Sequence, residues 1–184
     1  MHVAWTETDG VGGRVRHAIV ADGTVGPVVM LATGLAGTES DVGAIAPLAW
    51  MPGAGRVAVV WRQADGLLYE RRIDRDGVLT PAAVVSPLAV VQNAVDSDQV
   101  GADTFVRDDR LHVVFIGEDS RSIYHAESAA AGDWSEPVVA VAGIDGQWVR
   151  GRLVTRADGT EVYGYVYDAG SNGGSGMNRY AEID

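Results

Sequence analysis

The stretch that decides the fold runs from Arg110 to Val141, RLHVVFIGEDSRSIYHAESAAAGDWSEPVVAV. Two runs in it, LHVVFI and SIYHAES, have strand-like composition and flank the short polar turn GEDSR. A second turn, rich in small residues, leads to Trp-Ser-Glu-Pro and a third apolar run, VVAV. Alternating apolar and polar positions bounded by Gly, Asp and Ser are typical of antiparallel strands joined by tight turns. The stretch therefore predicts an antiparallel meander.

The same pattern recurs along the whole chain at a nearly constant interval. Four apolar runs end in an aromatic residue, spaced 56, 54 and 50 residues apart: Trp5, Trp61, Phe115 and Tyr165. The strand-like runs that follow align on a second marker, spaced 53, 55 and 55 residues apart: His17, Glu70, His125 and Tyr180. Two independent markers share one period, and this indicates a repeated structural unit.

With the strands of one unit labelled A to D, the chain reads B-C-D, A-B-C-D, A-B-C-D, A-B-C, without a helix. Four-stranded antiparallel units repeated at this spacing predict an all-β fold, a β-propeller whose blades stack face to face. We expect one propeller domain or segment over 1–184, with blades near 1–33, 44–91, 102–143 and 148–184. A stacked or sandwich arrangement of the same strands is the alternative. Strand A of the first blade and strand D of the last are missing, so we expect a homo-oligomer or part of a longer chain.

Composition excludes several classes of function. The formal net charge is −11 and all 14 basic residues are Arg, which disfavours a nucleic-acid partner. The absence of cysteine excludes disulfides, thiolate catalysis and Cys-based zinc sites. No run approaches the length of a membrane-spanning helix, and the first residues, MHVAWTETDG, do not resemble a signal peptide. The compartment stays open.

Acidic residues are concentrated in the loops that a propeller places at one end. The B–C turns and the D–A connections share that end, and binding residues are concentrated on loops held by a rigid scaffold. Paired carboxylates there would suit glycoside hydrolysis, and the candidate catalytic residues are Asp96, Asp98 and Asp103. The alternative is that these Asp side chains cap local backbone groups and simply form turns.

The same loops supply the candidate ligand-binding residues, which are Glu39, Asp41, Arg62, Glu118, Asp119, Asp145 and Trp148. No metal site and no cofactor are predicted from spacing, since neither an EF-hand nor a phosphate-binding loop occurs. One exception is a calcium ion on Asp96, Asp98 and a backbone carbonyl, because calcium binds several hard oxygens.

One turn of the chain carries a family resemblance. Ser128, Gly132 and Trp134 lie close to the Ser-x-Asp-x-Gly-x-Thr-Trp pattern of the Asp-box, with Ala130 at the aspartate position. The chain thus resembles the bacterial neuraminidase repeat of the sialidase-like superfamily of six-bladed propellers. That resemblance implies the fold. The superfamily's arginine triad, Asp acid/base and Tyr–Glu pair find no aligned residues here, and no Arg-Ile-Pro motif occurs, so no catalytic residue is carried over.

Three functions follow as hypotheses. The first is a module that binds a carbohydrate or a partner protein, with Trp50, Trp134 and Trp148 as aromatic surfaces for sugar rings. The second is an exo-acting glycoside hydrolase that uses the loop carboxylates as acid and base. The third is a structural propeller segment in an assembly. Trp5 and Trp61 are expected to be buried because they end apolar strands.

Overall fold

The computed structural model describes residues 1–8, 12–35, 48–91, 101–146, 148–169 and 178–183. In those ranges the regular structure consists of sixteen β-strands, with no α-helix. The described residues therefore include no helix that could span a membrane. The strands form four antiparallel sheets in chain order. This confirms the all-β propeller predicted from the repeat.

Each sheet uses consecutive strands. Sheet 1 contains β1 (His2–Thr8), β2 (Gly13–Ala21), β3 (Thr24–Val25) and β4 (Val29–Leu35). Sheet 2 contains β5 (Ala49–Met51), β6 (Arg56–Arg62), β7 (Leu68–Asp74) and β8 (Ala83–Val84). Sheet 3 contains β9 (Ala102–Arg107), β10 (Arg110–Ile116), β11 (Ser122–Ala130), β12 (Asp133–Trp134) and β13 (Val138–Ala142). Sheet 4 contains β14 (Val149–Thr155), β15 (Glu161–Asp168) and β16 (Asn178–Ile183).

The outer strand of a sheet is less regular than the repeat predicts. In sheet 1 both β3 and β4 pair with β2, and in sheet 3 both β12 and β13 pair with β11. The register shifts between Ser128 and Ala130, and again between Ile123 and Tyr124. Such shifts are bulges, which bend a strand at the edge of a sheet. The predicted single outer strand is therefore split in two in these sheets.

Local turn chemistry explains the hairpins. Asp22 and Gly23 join β2 to β3 with φ of 50° and 76°, and Asp108 and Asp109 join β9 to β10 with φ of 51° and 58°. Two consecutive residues of positive φ form the two-residue hairpin turn whose twist matches that of the strands. Asp and Gly tolerate this conformation better than other residues do. The turn at Asp108 and Asp109 thereby places Arg107 opposite Arg110 in sheet 3.

The core lies between the sheets. Sheets 1 and 2 enclose a cluster that includes Val15, Leu31, Val59, Trp61 and Ile73. Sheets 2 and 3 enclose a cluster that includes Val60, Leu68, Leu111, Val113 and Phe115. Sheets 3 and 4 enclose a cluster that includes Val114, Ile116, Tyr163, Tyr165 and Tyr167. Each sheet thus buries an apolar face against the next, and the strands β5, β9 and β14 contact one another in the same order.

The aromatic marker of the repeat has a structural meaning. Trp61, Phe115 and Tyr165 are 2%, 0% and 1% exposed, and each packs between its own sheet and the preceding one. Trp61 is buried as predicted. Trp5 is only half-buried, which corrects the expectation of burial, because sheet 1 has no preceding sheet among the described residues.

A buried ion pair joins sheets 2 and 3. The Glu70 carboxylate is fully buried on β7 and accepts from Arg72 Nε at 3.1 Å. It also accepts from the Gly132 backbone N–H at 2.8 Å and from Trp134 Nε1 at 3.1 Å. Arg72 Nη2 in turn donates to Ser128 Oγ at 2.7 Å. Charges removed from water are retained when they are paired and hydrogen-bonded, and this cluster meets that condition.

Candidate functional site

The B–C turns and D–A connections lie together at one end, as the propeller topology predicts. The Glu118 backbone N–H donates to the Ala89 carbonyl at 3.0 Å, and the Gly146 N–H donates to the Ser120 carbonyl at 3.0 Å. The Val90 N–H donates to the Gly66 carbonyl at 2.9 Å. A turn of one sheet is thus bonded to the connection that leads into or out of that sheet. We call this hydrogen-bonded border, residues 63–67, 86–91, 117–121, 143–146 and 148, the rim.

Three predicted acidic residues, Glu118, Asp119 and Asp145, are exposed on the rim. The Asp119 carboxylate accepts from the Arg121 backbone N–H at 2.9 Å, the geometry of a turn-capping side chain. The structure brings Asp119 and Asp145 into neighbouring segments, because Gly146 bonds to the turn that contains Asp119. For Asp119 the local contact is the one that the turn interpretation predicts.

Two further predicted residues on the rim have structural contacts. Arg62 Nε donates to the Val90 carbonyl at 3.0 Å and so holds the connection between sheets 2 and 3. Trp148 is half-buried, and its carbonyl accepts from the Asp168 N–H at 3.2 Å. Four other predicted site residues lie outside the described residues: Glu39, Asp41, Asp96 and Asp98.

Asp103 lies on β9 and is 2% exposed. Its carboxylate accepts from the Tyr163 hydroxyl at 2.6 Å, the Gly151 N–H at 2.6 Å and the Thr104 N–H at 2.9 Å. Burial raises the pKa of Asp103, while these hydrogen bonds act in the opposite direction. Burial likewise raises the pKa of Tyr163 strongly. The Asp103 carboxylate joins β9 to β14 and β15, and its position is enclosed rather than open to a substrate.

A cleft of about 380 Å³ opens between sheets 1 and 2. Residues of the outer strand β4 form one wall, and residues of β6 and β7 form the floor and the other wall. Its lining comprises Met30, Leu31, Ala32, Thr33, Trp61, Gln63, Tyr69, Arg71 and Ala82. Aromatic surface and a few convergent polar groups in one concave site are typical of small-molecule binding.

The aromatic part of the cleft is held rigidly. The rings of Trp61 and Tyr69 stack with centroids 6.1 Å apart and an interplanar angle of 21°. Trp61 Nε1 donates to Gln63 Oε1 at 3.0 Å, and Gln63 Nε2 donates to the Thr33 carbonyl at 2.8 Å. The Tyr69 hydroxyl donates to Asp65 Oδ2 at 2.9 Å, and this hydrogen bond raises the pKa of Tyr69. Each ring is therefore fixed by a hydrogen bond at its polar end.

Arg71 is the charged residue of this cleft. It is half-buried, and its Nε is shielded from solvent with no hydrogen-bond acceptor in the part of the chain that the structure describes. A guanidinium carries five N–H donors and keeps its charge at any physiological pH. A shielded donor without an acceptor costs free energy. The Arg71 side chain as a whole is half-buried and lines the cleft, so the remaining guanidinium donors, rather than the shielded Nε, are the groups placed to meet the oxygen atoms of a ligand.

The sequence reasoning missed this cleft, although a signal was present. Tyr69 and Arg71 share a face of β7 with Ile73, which packs against sheet 1. An arginine on a face that buries its neighbours is unusual unless it has a partner. The repeat predicts that Trp61 is buried between sheets, and this is confirmed. The repeat does not predict the cleft that Trp61 borders.

A second cleft, of about 250 Å³, lies between sheets 2 and 3 on the outer side. It is lined by Val84, Val85, Ser86, Pro87, Gly132, Trp134, Ser135 and Glu136. Trp134 is half-buried here, and Trp50, the other predicted aromatic surface, is 52% exposed on β5. Of the described residues, no group of three His, Cys, Asp or Glu side chains is arranged to hold a metal ion.

No protein-family model matches the chain, and no curated protein matches it. Several solved structures share its fold at low sequence identity. The Aleuria aurantia lectin AAL in complex with Fucα1-6GlcNAc is 13% identical with a TM-score of 0.55, over 100% of this chain and 56% of the lectin. An N-acetylgalactosamine deacetylase from F. plautii, in complex with blood group B trisaccharide, is 12% identical with a TM-score of 0.54, over 92% and 59%.

A neuraminidase-like protein of A/flat-faced bat/Peru is 8% identical with a TM-score of 0.50, over 95% of this chain and 52% of that one. The chain therefore spans between 52% and 59% of the length of these proteins. At such identities the likeness establishes the fold. The chain shares a propeller architecture with proteins described as a lectin, a deacetylase and a neuraminidase-like protein.

Proposed function

We propose that this chain is a carbohydrate-binding propeller and that the cleft between sheets 1 and 2 is its binding site. The observation that carries the proposal is the combination, in one cleft, of the Arg71 guanidinium with the Tyr69 ring that stacks on Trp61. A sugar presents an apolar ring face and a border of hydroxyl oxygens, and this pair of features complements both.

The arrangement of the cleft fits such a ligand in its details. The ring of Tyr69 stacks on the buried Trp61, so the apolar face of a sugar would lie against the half-buried Tyr69 ring, which Trp61 supports from behind. Arg71 would donate to ring or hydroxyl oxygens, and hydrogen bonds from a charged group are stronger than those between neutral groups. Because the rings and Gln63 are already fixed by hydrogen bonds, little side-chain freedom is lost on binding.

Support also comes from the fold, since a lectin with a bound disaccharide and a deacetylase with a bound trisaccharide share it. The sialidase-like resemblance is part of the same proposal. The turn that carries Ser128, Gly132 and Trp134 has Ala130 where the Asp-box has aspartate. Glu70 of the neighbouring sheet supplies a carboxylate to the Gly132 N–H and to Trp134 Nε1 in this turn. We take the turn to be a degenerate Asp-box with a structural role.

The experiment is a glycan array followed by calorimetric titration of the best ligand into the wild-type chain and into Arg71→Gln. We expect Arg71→Gln to weaken binding by about tenfold or more, because a charge-assisted hydrogen bond to the ligand is lost. The matched control is Arg75→Gln, since the Arg75 side chain is 90% exposed just beyond the same strand. Absence of any bound glycan, or equal affinity of the two variants, would contradict the proposal.

Glycoside hydrolysis by the loop carboxylates is the second candidate. The observation in its favour is that the exposed carboxylates Glu118, Asp119 and Asp145 lie in neighbouring segments of the rim, whereas Asp96 and Asp98 lie outside the described residues. Asp103 is the least suited of the three candidate catalytic residues to hydrolysis, because its carboxylate is hydrogen-bonded to Tyr163, Gly151 and Thr104 inside the protein. The variant Asp98→Asn separates the two functions. A hydrolase would no longer form product from its substrate but would still bind it, whereas a binding module shows no hydrolysis with either chain.

A further inference from the structure

Sheets 1 and 3 each contain a pair of hydrogen-bonded histidines with the same spacing. His2 Nδ1 lies 3.0 Å from His17 Nε2, and His112 Nδ1 lies 2.9 Å from His125 Nε2. The ring centroids are 5.2 Å apart in both pairs. The first histidine of each pair lies three residues before the aromatic marker of the repeat. All four histidines of the chain are therefore used in one arrangement that is built twice.

The strand register shows what replaces this arrangement in sheet 2. His17, Glu70 and His125 each lie opposite the residue that immediately precedes the aromatic marker. The carboxylate in sheet 2 faces sheet 3, because it accepts from the Gly132 N–H. One repeat position thus holds a histidine, a glutamate and a histidine in successive sheets.

Aromatic rings of the next sheet lie beside both pairs. The ring centroid of His2 is 6.4 Å from that of Trp50 on β5. The ring of His112 stacks on Phe105 at 4.5 Å, and Phe105 stacks on Tyr163 of β15 at 3.9 Å. The histidine pairs therefore belong to the interface between sheets 1 and 2 and to the interface between sheets 3 and 4. The interface between sheets 2 and 3 contains the Glu70 ion pair instead.

A histidine pair of this kind is stable only while at least one ring is neutral. One ring N–H donates to the unprotonated nitrogen of the other ring, so a proton on both rings removes the acceptor and places two cations in contact. Burial lowers the pKa of all four histidines, and that of His112 to about 4. Separation of the sheets would return the rings to water, where the ordinary pKa is near 6.5.

The charges around the first pair are unfavourable for a proton. The Met1 amino group acts on His2 and lowers its pKa, and His2 acts on His17 in the same direction. The other ionisable side chains that sheet 2 presents to this interface border the cleft: Asp65, Tyr69 and Arg71.

The second pair has one carboxylate nearby. Glu127 Oε2 lies 3.6 Å from His112 Nδ1 and favours protonation, but burial outweighs it and Arg107 opposes it. Arg110 Nη2 holds the other oxygen of Glu127 at 2.9 Å. The remaining ionisable side chains on the facing surfaces, assigned by strand alternation, are Asp103, Glu161, Tyr163, Tyr165, Tyr167 and Arg179.

We propose that the two histidine pairs are acid-sensitive contacts, which loosen the interfaces between sheets 1 and 2 and between sheets 3 and 4 below about pH 6 while sheets 2 and 3 stay together. A separated pair binds protons that the closed pair does not, so acid favours separation. For His112, a pKa of about 4 when closed and about 6.5 when open favours the open state about twentyfold between pH 7 and pH 5.

Single cysteines can report each interface, because the natural chain has none. Val59 and Val60 are adjacent on β6 and 0% exposed, and they face sheets 1 and 3 respectively. Val113 and Val114 are adjacent on β10 and 0% exposed, and they face sheets 2 and 4. Each is replaced singly by Cys, and its rate of reaction with a pyridyl disulfide is divided by that of the same chain unfolded in urea at the same pH. A buried thiol reacts only when its surroundings open.

Between pH 7 and pH 5 we expect this normalised rate to rise about twentyfold for Val114→Cys and more than about threefold for Val59→Cys. The matched controls, Val113→Cys and Val60→Cys, should change by less than about twofold, because they report the interface without histidines. An equal rise in a reporter and its adjacent control would mean that strands unfold rather than that sheets separate, and it would overturn the proposal.

Replacement of the histidines assigns the effect. His112→Gln/His125→Gln should abolish the rise at the reporter between sheets 3 and 4 and leave the other one, and His2→Gln/His17→Gln should do the reverse. A rise that survives replacement of its own pair, or a rate at either reporter that does not change with pH, would also overturn the proposal.

Discussion

Replacement of Glu70 by alanine is the sharpest test of how sheets 2 and 3 are joined. The carboxylate is 0% exposed and accepts from Arg72, from the Gly132 N–H and from Trp134 Nε1. Its removal leaves a guanidinium whose side chain is 3% exposed without its counter-ion. Removing one partner of a buried ion pair costs about 3–5 kcal/mol. We expect the free energy of unfolding to fall by that amount.

The assay is urea unfolding, followed by circular dichroism and by the fluorescence of the tryptophans, Trp134 among them. A fall of this size corresponds to a melting temperature lower by about 10 °C for a chain of this length. The double variant Glu70→Leu/Arg72→Met should be much closer to the wild type, because replacing both partners by apolar groups is often nearly neutral. Asp76→Ala, from the exposed pair Arg75–Asp76, serves as the control and should change stability by less than about 0.5 kcal/mol.

Two results would refute this reasoning. If Glu70→Ala costs less than about 1 kcal/mol, the cluster is not the junction between the sheets that its burial indicates. If the double variant is as unstable as the single one, the loss comes from the cavity and not from the stranded Arg72 charge. Glu70→Gln separates the two contributions further, since the amide can still accept from Gly132 and Trp134.

Two other predictions concern sheets 3 and 4. His112, 2% exposed and 2.9 Å from His125, has its pKa lowered to about 4 by burial and then by that neighbour. Unfolded His112 takes up a proton near pH 6.5, whereas folded His112 stays neutral down to about pH 4. The free energy of unfolding should therefore fall by about 3 kcal/mol as the pH is lowered from 6.5 to 4. His112→Gln should flatten this pH dependence, measured by urea unfolding. Tyr163→Phe removes the hydroxyl that donates to buried Asp103, and it should lower the unfolding free energy by about 1–3 kcal/mol. Tyr167→Phe is its control, and equal losses in the two variants would contradict this role of the hydroxyl.

The fold was predictable from the sequence because the propeller repeats its signals. Trp61, Phe115 and Tyr165 share a period, and each is buried against the preceding sheet. The periodicity predicts which face of each strand is apolar. The packing of one sheet on the next follows, because these apolar faces are buried against each other. The split outer strands were not predictable, since they depend on bulges near Ser128 and Tyr124 that alternation alone does not encode.

The candidate site was predictable only in part. Among the described residues, Glu118, Asp119 and Asp145 lie on one rim, and the position of Asp119 follows from the B–C topology. Asp103 was assigned to the same end because it begins a strand, yet its carboxylate is enclosed by Tyr163 and Gly151 of the next sheet. The neighbours of a buried side chain such as Asp103 are set by contacts between sheets. The residues that make such contacts are roughly one repeat apart in sequence. No local pattern reports them.

Two adjacent arginines on β7, Arg71 and Arg72, have opposite surroundings. Arg72 points toward sheet 3, where Glu70 and Ser128 satisfy its guanidinium in a closed junction. Arg71 points toward sheet 1, where its shielded Nε has no acceptor among the described residues and the space before it is a cleft rather than a core. A protein that only needed to join sheets 1 and 2 would be more stable with an apolar residue at this position, since an unsatisfied buried donor lowers stability. Under the proposed function, the Arg71 guanidinium is kept in the cleft for the oxygen acceptors of a ligand, and this is the reason that Arg71→Gln is the variant chosen to test it.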